Sequence, residues 1–141
     1  MADTAPAAPN LVGRGIAMML VTPSDHVISD ENEFRDAVET AAKAAQEGAI
    51  ITFGIAPTRA ETGYGWLELN SVEDKQAKTP QPLVKFVEKP NANVAQDMLD
   101  AGRFMWNSGI FLFSVSAILA EYRRLVPDMV QGVQAAMDSA F

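Results

Sequence analysis

Ala49-Ile50-Ile51-Thr52-Phe53-Gly54-Ile55-Ala56 decides the fold class. Its single polar residue is Thr52, and its length suits a strand covered on both faces rather than a helix. Immediately before it, Gly48 stands where helices commonly stop. Behind that glycine, Phe34, Ala37, Val38, Ala41 and Ala45 make one apolar stripe at helical spacing, while Arg35, Glu39, Lys43 and Glu47 face water. Asp30-Glu31-Asn32-Glu33 has the form of a capping box, which starts the helix there. Further back, Ile16 to Val21 is a continuous apolar run of strand length that ends at Thr22-Pro23. Strand, helix and strand together predict a βαβ unit with parallel pairing. The expected fold is therefore α/β: a Rossmann-like mixed, mainly parallel sheet with flanking helices.

Two strand ends gather polar groups. Ser24-Asp25-His26 follows the first strand, where a carboxylate can bind Mg²⁺ or simply cap the turn. In Leu83-Val84-Lys85-Phe86-Val87-Glu88-Lys89-Pro90, the alternation predicts a strand with both faces mostly apolar and covered, stopped by Pro90. Glu88 and Lys89 sit at its exit, where open α/β sheets bind ligands, and they suit a polar anion. An exposed ion pair gives the same letters. Between these ends, Pro57 to Gly65 reads as a loop whose glycines allow either a close ligand approach or a plain turn.

Trp66 to Asn70 reads as a strand joined to Leu83 by a polar connection, with antiparallel pairing expected. Asn93 and Gln96 predict the start of a short helix that Ala101-Gly102 stops. In the run Phe104 to Phe113, Asn107-Ser108-Gly109 is an uncharged notch whose buried amide and hydroxyl need partners; a bulge satisfies them as well as a site does. Two amphipathic helices close the chain, from about Ser116 to Leu125 and from Asp128 through Met137, separated at Val126-Pro127.

The 141 residues suit one domain, with residues 1–15 as an irregular lead-in and 16–141 as the folded part. A net charge of −7, with 11 basic residues scattered among 18 acidic ones, argues against a nucleic-acid partner. The absence of cysteine excludes thiolate metal sites and fits a cytoplasmic setting. The longest early apolar run is too short to cross a bilayer, so no membrane partner is expected.

Five stretches then fall in a familiar order: Thr22-Pro23-Ser24-Asp25-His26-Val27-Ile28, Phe53-Gly54-Ile55-Ala56-Pro57, Glu61-Thr62-Gly63-Tyr64-Gly65, Val84-Lys85-Phe86-Val87-Glu88-Lys89-Pro90 and Trp106-Asn107-Ser108-Gly109-Ile110-Phe111. The chain resembles the sugar-nucleotide pyrophosphorylases, a nucleotidyltransferase family, in its mannose-1-phosphate guanylyltransferase branch. The resemblance implies a Rossmann-like nucleotide-diphospho-sugar transferase fold and the reaction of GTP with mannose 1-phosphate to give GDP-mannose and pyrophosphate. It implies that Asp25 is a catalytic Mg²⁺ ligand and that Gly65 offers a backbone amide to the sugar. Glu88 would bind sugar hydroxyls, Lys89 would neutralise the sugar phosphate in catalysis, and Asn107 would bind the sugar.

The family's Gly-rich triphosphate loop has no counterpart here, since Gly13-Arg14-Gly15 lacks the pattern, and its second metal-binding Asp falls beyond Phe141. The expectation is a partial domain, short at both ends, that carries the sugar-phosphate half and turns over weakly or not at all alone; a non-catalytic binding or oligomerising module derived from the enzyme is the alternative. A shortened sheet exposes an edge, so a homo-oligomer is expected.

Overall fold

The computed structural model of the protein describes residues 17–140. The lead-in 1–15, and Ile16 of the first expected strand, lie outside the described residues. The elements run β1 (Met18–Val21), α1 (Glu31–Gln46), β2 (Ile51–Ile55), β3 (Gly65–Glu68), a short 3₁₀ turn (Glu73–Gln76), β4 (Lys85–Glu88), α2 (Ala92–Ala101), β5 (Phe104–Ser114), α3 (Val115–Leu125) and α4 (Pro127–Ala140).

All strand pairs among the described residues are antiparallel, which corrects the expected mainly parallel sheet. The eleven-residue β5 is the reason. Leu112 pairs with Leu20 of β1 on one edge and with Ile51 of β2 on the other. Thus β1 and β2 do run in the same direction, but β5 stands between them and takes their hydrogen bonds. On the first edge, β3 follows β1 along β5, with Trp66 opposite Trp106, and β4 lies outside β3. The β3–β4 pairing is antiparallel as the connection predicts.

Helix α1 starts as the capping residues require: the Glu33 amide donates to Asp30 Oδ1 at 2.9 Å. Ala41 and Ala45 are buried against Leu112, and Val38, Met18, Ile51 and Phe53 pack around them. Gly48, at φ +102, carries the chain out of the helix. A second core joins Trp66, Phe104 and Trp106 to Ala95 and Met98 of α2. The cap of α2 is Asn91, whose Oδ1 accepts from the Val94 amide at 3.0 Å, and not Asn93. Asn91 follows Pro90, so the proline that ends β4 also delivers the cap.

Strand β4 departs from expectation in another respect. Leu83, Val84 and Phe86 are exposed at 42–52%, so this is an edge strand with an open face rather than a strand covered on both sides. Alternation of apolar residues shows a strand but not what lies beside it. No helix among the described residues is long and apolar enough to cross a membrane.

Candidate functional site

The structure brings three of the five sequence-derived residues into one transverse row. Gly65 pairs with Glu88 across β3 and β4, and the antiparallel register that sets Trp66 opposite Trp106 continues the row to Asn107 on β5. With strands about 4.8 Å apart, Glu88 and Asn107 flank Gly65 at roughly 10 Å from one another. A Cβ at Gly65 would lie 2.8 Å from Glu88 Oε2 and 2.7 Å from Phe86 Cζ, so a side chain there would push these two flexible tips aside. The Phe86 ring and the Glu88 carboxylate therefore lie directly over the buried Gly65 backbone.

Lys89 follows at the strand exit. Its amide donates to the Tyr64 carbonyl at 3.2 Å, and its φ of +44 is the one positive φ of a non-glycine residue among the described residues. Strain of this kind concentrates where a side chain must be aimed. The ammonium lies 3.8 Å from Glu88 Oε1 with both groups more than half exposed, so the contact is loose and leaves each free to meet a ligand.

The polar notch is a β-bulge. Between the pairs Thr52–Phe111 and Gly54–Asn107, β5 has two residues more than β2, and Gly109 turns the chain at φ +74. The Ser108 hydroxyl accepts from the Ile110 amide at 3.1 Å, while Thr52 Oγ1 lies 2.7 Å from Asn107 Oδ1 and 3.2 Å from the Ile110 carbonyl. The kink satisfies Ser108, as a bulge requires, and leaves the Asn107 amide hydrogens without a protein acceptor among the described residues.

Asp25 is placed more loosely. Pro23 stands 3.4 Å from where a Gly109 Cβ would be, so the exit of β1 abuts the bulge. Asp25 is two residues on, exposed, and absent from the four ion pairs among the described residues. No group of three acidic or histidine side chains able to hold a metal occurs among the described residues. Asp25 thus offers one carboxylate near the row rather than a protein-built metal cage.

Sequence reasoning missed the post that holds the Pro57–Gly65 loop. The Arg59 guanidinium lies 5.2 Å from the Trp106 ring centre, and Tyr64 meets the same ring edge-on at 5.5 Å. Glu61 accepts from the Gly63 amide at 2.9 Å and from Arg59 at 2.8 Å; these two ties, the amide first, hold its carboxyl below the usual range. The Trp66 indole donates to the Glu61 carbonyl at 2.8 Å. Each of these residues looked like a turn or core letter in isolation, and only the alignment of Trp66 with Trp106 makes them one support. A cleft of about 1280 Å³ is instead bounded by α1, β2 and the segment 74–83. It contains none of the five site residues, although Thr52 and Gly54 on its wall abut the notch.

Comparison with known proteins agrees with the motif order. The nucleotidyl transferase family model matches residues 2–140. The chain is 39% identical over 123 residues to a mannose-1-phosphate guanylyltransferase of Klebsiella pneumoniae, covering 87% of this chain and 26% of that protein. It is 44% identical over 124 residues to the xanthan biosynthesis protein XanB of Xanthomonas campestris, covering 88% and 26%. Among solved structures, a Helicobacter pylori mannose-6-phosphate isomerase superposes with a TM-score of 0.76 at 29% identity, covering 92% of this chain and 47% of that one. A Thermus thermophilus mannose-1-phosphate geranyltransferase gives 0.72 at 30%, covering 86% and 35%. The chain spans about a quarter of the length of the curated relatives it matches.

Proposed function

The chain belongs to the nucleotidyl transferase family, and from that premise we propose that it binds mannose 1-phosphate as the acceptor half of a guanylyltransferase site. The observation that carries this reading is the Glu88–Gly65–Asn107 row with Lys89 at its end. In the full reaction a phosphate oxygen of mannose 1-phosphate bonds to the α-phosphorus of GTP while the α–β bridging bond breaks and pyrophosphate leaves with the electron pair, giving GDP-mannose. Here Glu88 accepts hydrogen bonds from sugar hydroxyls, Gly65 leaves the Glu88 carboxylate undisplaced beside it, Asn107 donates to a hydroxyl, and Lys89 offsets the phosphate charge.

Asp25 fits a Mg²⁺ held mainly by substrate phosphates and water, as Mg²⁺ usually needs only one or two carboxylates. When bound, the ion would neutralise phosphate charge at that strand exit. A cytoplasmic setting is supported by the cysteine-free composition. A homo-oligomer is supported by Met19, Leu20 and Val21, each exposed at about 41% on β1.

Calorimetric titration with mannose 1-phosphate tests the reading. Glu88→Ala and Asn107→Ala are each expected to weaken binding at least about tenfold, the factor for a buried hydrogen bond to a ligand. Equal affinity in both variants would reject the row as the sugar site. A pyrophosphate-release assay with GTP, Mg²⁺ and mannose 1-phosphate separates an acceptor-binding chain from a catalytic one: robust turnover rejects the restriction to the acceptor half.

A further inference from the structure

Thr52 carries the only hydroxyl on β2, and it faces the notch from 55 residues away in sequence. Its oxygen reaches two acceptors, Asn107 Oδ1 at 2.7 Å and the Ile110 carbonyl at 3.2 Å, which are the two ends of the bulge. A hydroxyl has one proton. The shorter contact is at the usual O–H···O distance and takes it, leaving the carbonyl as a weak second partner. An asparagine amide on a flexible χ2 can present either its oxygen or its NH₂ to a given direction. With the oxygen engaged by Thr52, the NH₂ is turned away from β2, and it has no protein acceptor among the described residues.

We propose that Thr52 is a positioning residue for the sugar site: its hydroxyl locks the Asn107 amide so that the NH₂ is presented as a donor along the Glu88–Gly65 row. This rests on the sugar-site reading above. Thr52 itself touches no substrate. Its value lies in preorganisation, because an amide already held in the donating orientation does not lose that freedom on binding.

The test compares Thr52→Val, which keeps the shape and removes the hydroxyl, with Thr52→Ser, which keeps the hydroxyl. Binding of mannose 1-phosphate is followed by calorimetry, and the Asn107 side-chain NH₂ pair by ¹⁵N NMR, assigned by its absence from Asn107→Ala. Thr52→Val is expected to weaken binding roughly tenfold and to move the NH₂ pair to the position of freely rotating asparagine amides. Thr52→Ser is expected to restore both to within about threefold of the unaltered chain, which a purely packing role for the methyl group would not do. Should the valine variant fail to fold, Thr52→Ala carries the same comparison. An unmoved NH₂ pair, or unchanged affinity in Thr52→Val, overturns the proposal. Absence of mannose 1-phosphate binding by the unaltered chain overturns the sugar-site reading instead, while the NMR comparison still reports whether Thr52 holds the amide.

Discussion

At Gly65 the cost of a substitution to folding and its cost to the proposed sugar binding can be separated. A methyl group there meets the tips of two flexible side chains, Glu88 and Phe86, and no backbone. Gly65 is buried, but both tips can swing aside and alanine narrows the unfolded ensemble, so Gly65→Ala is expected to cost less than about 1 kcal/mol of stability. Moving the carboxylate should nonetheless weaken mannose 1-phosphate binding at least tenfold. Paired thermal and calorimetric measurements check this, and a large loss of stability with intact binding would contradict it. Lys89 makes the opposite trade. Its left-handed backbone carries strain that glycine would not. We expect Lys89→Gly to gain about 0.5–1 kcal/mol by urea unfolding while losing affinity for the sugar phosphate. No gain would mean that the backbone at Lys89 is unstrained.

At the scale of elements, the loop 57–65 depends on one carboxylate. The folded state holds the Glu61 carboxyl below its usual value of 4.5, so the tie to Gly63 and Arg59 is complete above that value and is lost as pH falls through the lower folded value. Acid titration should therefore loosen the Tyr64 contact with Trp106 below about pH 4.5, read as a change in tryptophan fluorescence. Glu61→Gln, which cannot titrate, should lack that step; its persistence would assign the step to another group. Elements were also where sequence reading succeeded and failed most clearly. The strand at Ile51, the helix from Glu31 and the notch at Asn107 could all be read, because period, caps and a polar interruption are local signals. That β5 intervenes between β1 and β2 could not, since an apolar run records that a strand is buried and not which strand buries it. The exposure of β4 and the cap at Asn91 escaped for related reasons: one depends on a neighbour, the other on a one-residue choice between two asparagines.

For the whole molecule, the order of motifs along the chain named the candidate residues, while the Thr52–Asn107 contact was not legible, because it spans a 55-residue gap. The same scale governs association. Helix α4 has no buried residue, and Met129, Val133 and Met137 are exposed along it, as are Met19, Leu20 and Val21 on β1. Apolar surface of this extent on an acidic chain favours assembly over isolation. Light scattering at micromolar concentration is expected to give more than a monomer mass, and Leu20→Glu to lower it. A monomer mass for the unaltered chain would contradict this.

Strand β5 has a consequence in time. It is the hydrogen-bonding partner of β1, β2 and β3, yet it is synthesised after all of them. A ribosome making this chain has released the first strands well before residue 104, and only the β3–β4 hairpin and the helices can form until β5 arrives. The sheet then closes by several long-range pairings at once, which slows folding relative to a chain held by local contacts. Until that moment the apolar strands β1 and β2 are exposed to other chains, and the nascent protein is at its most vulnerable to aggregation.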